Sequence, residues 1–186
     1  LGRGDFSHLS RFTDLNGKIL VLTDDGVPEE HVRTVMEQCA NATVMTVQHG
    51  EGAKSFPVFE DVCRKLLALK FGRRDLLIAV GGGVVGDLGG FAAACYMRGI
   101  RFVNMPTTSL SQIDSSIGGK TAINLDGVKN SIGAFYQPEL VVADPDVLST
   151  LPRRHLNNGL VEAVKAGLIG DAALFSLFEE TDVYSR

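Results

Sequence analysis

Hydrophobic positions along this chain alternate between two periods, and the alternation predicts the architecture. The stretch Gly17–Thr23 (GKILVLT) is a short, nearly continuous aliphatic run ending at Asp24-Asp25-Gly26, the pattern of a buried strand. Pro28 with Glu29 and Glu30 marks a helix start, and Val32, Val35, Met36 and Cys39 then recur at helical spacing. The cycle repeats. Thr43–Val47 predicts a second strand, and Ser55–Lys70 a second helix through Val58, Val62, Leu66 and Leu69. Asp75–Val80 predicts a third strand and Val84–Met97 a third helix, whose Gly89, Gly90, Ala92, Ala93 and Ala94 permit close packing. Arg101–Met105 is a fourth strand and Leu140–Ala143 a fifth.

Strands that alternate with helices pair in parallel through right-handed crossovers. The expected fold is therefore α/β, a doubly wound, mostly parallel, Rossmann-like sheet. From Leu151 the pattern becomes helical only, over Asn157–Ile169 and Ala172–Glu180. That predicts an α/β domain over residues 1–150 and the first helices of an incomplete all-helical domain over 151–186. The opening LGRGDF lacks an initiator Met, and the end follows closely on a helical pattern, so a piece of a longer protein is expected.

Composition narrows the classes. Hydrophobic residues make up 45% and charged residues 22%, as in an ordinary globular core. A net charge of −4 argues against non-specific nucleic-acid binding, and no apolar run is long enough to span a membrane. Cys39, Cys63 and Cys95 are odd in number and lack a CxxC, as expected of reduced thiols in a cytoplasmic protein.

The candidate chemistry concentrates in residues 81–138. Gly81, Gly82, Gly83 and Gly86 follow the third strand and open a helix, where bare backbone N–H groups can meet a pyrophosphate. The Gly81-x-Gly83-x-x-Gly86 spacing alone is a weak signal. It sits on the third strand, and no Asp or Glu lies about twenty residues on. A ribose ligand is available instead from Asp24, or from Glu51 and Lys54 after the second strand. Downstream come Thr107, Thr108, Asp114, Gly118-Gly119-Lys120 and Lys129-Asn130, with a hairpin turn at Asp126-Gly127. Hydroxyls, a carboxylate and lysines at this density suit an anionic, hydroxyl-rich ligand.

Glu162 and Lys165 stand three apart on one helix face. They read either as a surface ion pair or, with companions such as His155, as part of a metal site. His8, His31 and His49 have no ligand-like spacing. No nucleophile elbow, Walker loop or HExxH occurs.

The blocks GGGVVGD, YMRG, MPTTSLSQIDSSIGGKTAIN, VKNSIGAFYQP and GLVEAVKAGLI are long, ordered and correctly spaced, and they resemble the 3-dehydroquinate synthases. The resemblance runs from Thr23 to about Glu180. It implies a cofactor-binding half, with the sheet's first strand upstream of LGRG and the rest of the helical half downstream. It implies closure of 3-deoxy-D-arabino-heptulosonate 7-phosphate to 3-dehydroquinate with release of phosphate, a carbon–oxygen lyase reaction of the shikimate pathway leading to chorismate and the aromatic amino acids. Catalytic NAD and a divalent metal, zinc or cobalt, serve that reaction.

By position, the resemblance implies NAD contacts at Asp24, Glu51, Lys54, Gly83, Val84, Val85, Gly86, Asp87, Thr107, Thr108, Lys120, Lys129, Val147, Leu148, Ser149 and Thr150. It implies substrate contacts at Asp114, Lys120, Asn130 and Lys165, and metal ligation by Glu162. Arg98 is implied to reach the phosphate in a neighbouring subunit's site, hence a functional homodimer. His155 falls where relatives often carry Glu, which speaks against it as a ligand, and His49 where they often carry Asp. Two alternatives stand beside this reading. One is a related sugar phosphate cyclase acting on sedoheptulose 7-phosphate or glucose 6-phosphate, and the other an NAD-dependent polyol dehydrogenase. The expected behaviour of the chain alone is weak or moderate NAD binding and no turnover.

Overall fold

The structure is a computed structural model, and it describes residues 1–180. Its frame is a five-stranded sheet of β1 (Ile19–Asp24), β2 (Ala42–Val47), β3 (Leu76–Gly81), β4 (Arg101–Pro106) and β7 (Leu140–Val141). The spatial order is β2-β1-β3-β4-β7, and every pairing is parallel. The chain moves outward from β1 to β2 and then returns to β3 on the other side of β1. The direction reverses there, leaving a crevice beyond the carboxyl ends of β1 and β3.

Burial on both faces explains why these strands read as unbroken aliphatic runs. Leu20, Leu22, Leu77 and Ala79 point to one side, where α2 (Phe56–Ala68) and α3 (Gly83–Cys95) cover them with Val62, Leu66, Val85, Leu88 and Ala92. Their neighbours Ile19, Val21, Leu76, Ile78 and Val80 point to the other. α1 (Glu29–Met36) covers that face through Val35, together with a 3₁₀ turn at Asp5–Arg11 carrying Phe6 and Leu9. The turn was not expected from the sequence, because its only strongly buried residues, Phe6 and Leu9, show no extended period.

The Asp126-Gly127 turn is present. Both residues have positive φ, 50° and 79°, and they join β5 (Lys120–Leu125) to β6 (Val128–Phe135) as an antiparallel hairpin. The hairpin lies on α3, and Gly90 allows the approach: a Cβ there would stand 2.4 Å from Thr121 Cγ2. α4 (Arg153–Gly170) and α5 (Ala172–Glu180) follow, and Gly159 of α4 seats against Ser109 and Leu110.

Boundaries shift modestly from expectation. α1 stops three residues before Cys39, α3 stops at Cys95, and the fifth strand keeps only two of four residues. At the end of α3, Met97, Arg98 and Gly99 all take positive φ (49°, 65° and 123°), which no helix can continue. Of the expected helical segment 151–186, residues 181–186 lie outside the described residues.

Candidate functional site

The carboxyl ends of the strands carry the expected groups to one rim. β1 delivers Asp24, whose Oδ1 accepts from Gly26 N at 2.9 Å and shapes the turn. β3 delivers Gly81–Gly83, and α3 starts at Gly83 with no side chain capping its first N–H groups. Those donors are left for a ligand or water. β4 delivers Thr107, whose N–H reaches Gly81 O at 2.9 Å, and Thr108, whose methyl lies against Gly82. The segment Val147–Thr150 forms a 3₁₀ turn capped by the buried Asp144, which accepts from Asp146 N and Phe6 N.

Next to this rim, α3, the hairpin and a π-helical turn at Ser111–Ser115 enclose a cleft of about 450 Å³. Asp87, Asp114, Lys120 and Asn130 line it, so four of the expected residues from three separate segments meet. Ser115 lines it as well, and sequence reading missed that residue because a serine among serines carries no spacing signal.

A polar network supports the cleft from below. Lys54 is only 4% exposed; its ammonium donates to Asp87 Oδ2 at 2.5 Å and to Asn130 Oδ1. Glu51 lies 3.9 Å from both Lys54 Nζ and Lys129 Nζ, and accepts from Asn124 Nδ2 at 2.9 Å. Asn124 also accepts from Asn130 N at 2.8 Å, which holds Asn130 at a φ of 54°. Burial pushes the Asp87 carboxyl above its ordinary range; the Lys54 ammonium beside it opposes that rise without cancelling it.

α4 brings Glu162 and Lys165 to the same side. They form an ion pair, and contact with the Glu162 carboxylate raises the Lys165 ammonium above its ordinary range, with Asp114 close enough to add to the effect. Glu162 Oε2 is buried, and the Lys165 ammonium is its partner. Among the described residues no three His, Cys, Asp or Glu side chains gather into a metal-sized group. His155 contributes its carbonyl to Ser109 Oγ at 2.9 Å.

Arg98 is not in the cleft. It is exposed just past the far end of α3, a helix of thirteen residues and roughly 20 Å that begins at the glycine turn. His31, which has no motif spacing, is buried, and its Nε2 lies 2.9 Å from Thr150 Oγ1. The Thr150 hydroxyl already donates to Val147 O, so His31 donates to it and ties the 147–150 turn to α1. Burial holds the His31 imidazole below its ordinary range.

A switch-point crevice with a glycine turn at a helix start, beside a cleft lined by two carboxylates and a lysine, defines a Rossmann-like α/β domain. The family described as 3-dehydroquinate synthase N-terminal matches residues 44–158. The chain belongs to the 3-dehydroquinate synthase family. It is 52% identical over 166 residues to a 3-dehydroquinate synthase of Caulobacter vibrioides (strain NA1000 / CB15N), covering 87% of this chain and 45% of that protein. Two solved structures are also similar. One is 2-deoxy-scyllo-inosose synthase complexed with carbaglucose-6-phosphate, NAD+ and Co2+, 32% identical with a TM-score of 0.85 over 90% of this chain and 47% of that one. The other is ValA, a 2-epi-5-epi-valiolone synthase from Streptomyces hygroscopicus subsp. jinggangensis 5008 with NAD+ and Zn2+ bound, 34% identical with a TM-score of 0.82 over 88% and 47%. The chain spans about half the length of the relatives it matches.

Proposed function

We propose that this chain supplies the cofactor-binding part of a 3-dehydroquinate synthase, which converts 3-deoxy-D-arabino-heptulosonate 7-phosphate to 3-dehydroquinate and phosphate in the shikimate pathway of the cytoplasm. The observation that carries the reading is the meeting of Asp87, Asp114, Lys120 and Asn130 in one cleft, in a chain 52% identical to a protein of that name. Residues 1–150 form the NAD-binding domain, and 151–186 begin a helical domain that completes the metal and substrate site.

The residues fit both groups. The uncapped N–H groups at the start of α3 and the bare Gly82-Gly83 backbone suit a pyrophosphate, with Thr107, Thr108 and the 147–150 turn beside it. The buried Glu162 Oε2, which already faces the cationic Lys165, suits a cation as one ligand of several. When bound, NAD takes up and returns one hydride, and the divalent metal, zinc or cobalt, polarises the reacting carbon–oxygen bond. The chain's own part is orientation. Lys120 and Lys165 present cationic donors to a carboxylate or phosphate, and Asp114 accepts from a sugar hydroxyl. Asn130 is held in place by Asn124 and Lys54. Arg98 serves a second subunit of a homodimer, a reading supported by its exposure past the far end of α3.

The test is an assay of a protein carrying the full length of its relatives. With NAD, metal and the heptulosonate phosphate, it is expected to release phosphate without accumulating NADH. Turnover only of sedoheptulose 7-phosphate or glucose 6-phosphate would indicate a different sugar phosphate cyclase. Steady NADH accumulation from a polyol, with no phosphate release, would indicate a dehydrogenase.

A further inference from the structure

Adjoining the cleft lies a second, much smaller and half-open chamber of about 10 Å³. Ser115, Lys120 and Thr121 line both spaces and form the partition between them. The inner space is also walled by Ser116, by Asn104 of β4 and by Gly86 of α3. Its size is that of one water molecule, which persists in a protein interior only where two to four polar groups hold it.

This chamber has them. Ser116 is 4% exposed, and its Oγ has no hydrogen-bond partner; the Ser115 Oγ is likewise buried and unpartnered. Asn104 is 7% exposed, and its carboxamide packs against Gly86, where a Cβ would stand 3.0 Å from Nδ2. Two other polar side chains of the wall are engaged elsewhere: Thr121 Oγ1 donates to Ala134 O at 2.8 Å and Tyr136 Oη to Ile100 O at 2.7 Å. Two hydroxyls that must find partners and an amide offering both donor and acceptor thus face a space of one water's volume.

We infer that this chamber is a binding site for a single structural water, held by Ser116, Ser115 and Asn104. The water joins the turn that carries Asp114 to β4, and so fixes the back wall of the cleft. The site goes beyond the proposed enzymatic activity and does not depend on it.

Two measurements on the intact chain decide the matter. A crystal structure that resolves ordered solvent is expected to show one density peak within hydrogen-bonding distance of Ser116 Oγ and of Asn104 or Ser115. A direct Ser116–Asn104 hydrogen bond with no intervening peak, or a dry chamber, overturns the proposal. Ser116→Ala removes one anchor while conserving the backbone. Amide exchange over residues 111–119 is then expected to rise about five- to tenfold, the scale of one hydrogen bond, with α1 unchanged. Unchanged exchange in that turn overturns the positioning role, whatever the activity assays give.

Discussion

Two lysine–carboxylate pairs interact with residues of the cleft wall, and they differ chiefly in access to water. Lys54 and Asp87 are 5% and 19% exposed in their side chains, joined at 2.5 Å and tied further to Asn130. Lys165 and Glu162 are 56% and 27% exposed and lie three apart on one helix. In the first pair desolvation governs: the Asp87 carboxyl rises even with an ammonium against it. In the second, the contact raises Lys165, and solvent screens the attraction. The buried pair is thus a structural tie between α3 and the hairpin, committed to its partners. The open pair can exchange its partner for a ligand at small cost. Identical chemistry serves scaffold in one place and recognition in the other.

Breaking the buried tie has the largest expected effect. Lys54→Met leaves the Asp87 carboxylate without its counter-charge and frees Asn130, at a cost of about 3 kcal/mol in unfolding free energy measured by denaturant titration. Proton uptake by Asp87 limits the loss. Adding Asp87→Leu to Lys54→Met is expected to recover part of it, because no charge is then stranded. A double variant less stable than the single one by the full cost of Asp87→Leu would show the two side chains to be independent.

The pH dependence of Asp87 comes next. Its folded-state carboxyl lies above the unfolded value of 3.8, so within that window the folded chain holds a proton that the unfolded chain has released. Stability from this group therefore falls as pH rises through the window and is fully lost above it. The depressed carboxyls of Asp14, Asp25 and Glu139 act in the opposite sense, losing stability as pH falls. The difference between wild type and Asp87→Asn isolates the group. Relative to the variant, wild type is expected to lose stability as pH rises above the unfolded carboxyl value of 3.8 and through the raised folded-state value. A flat difference would mean that Lys54 fully compensates burial.

The smallest effect on stability is expected at the open pair. Glu162→Gln should move Tm by no more than a few degrees, since a partly exposed helical ion pair contributes little. In a protein of the relatives' full length, the same change is expected to abolish bound metal and phosphate release while NAD binding persists. Retained metal would reduce Glu162 to a surface partner of Lys165 and remove the contrast between the pairs.

Much of this was legible before the fold was known. The strand–helix alternation, the glycine turn and the Asp126-Gly127 hairpin follow from local rules, because period and turn chemistry act within a few residues. The candidate residues of 81–130 were legible as a chemical cluster, and the family blocks assigned them roles. The N-terminal turn, the early end of α3 at three positive-φ residues and the length of the fifth strand were not. Those depend on what packs or pairs with them, which local pattern does not encode.

By itself, the sequence determined the class of fold and which side chains carry charge, hydroxyl or bare backbone. Only the tertiary structure decided how they are used. It buried Lys54 against Asp87 and Asn130 across 33 and 76 residues of chain and set Ser115 into the cleft wall. It tied His31 to Thr150 across 119 residues and carried Arg98 away from the other candidates. The reason is the range of the forces involved. Periodicity and turns are set by neighbours, whereas desolvation and partner choice depend on what long-range packing brings within a few ångströms.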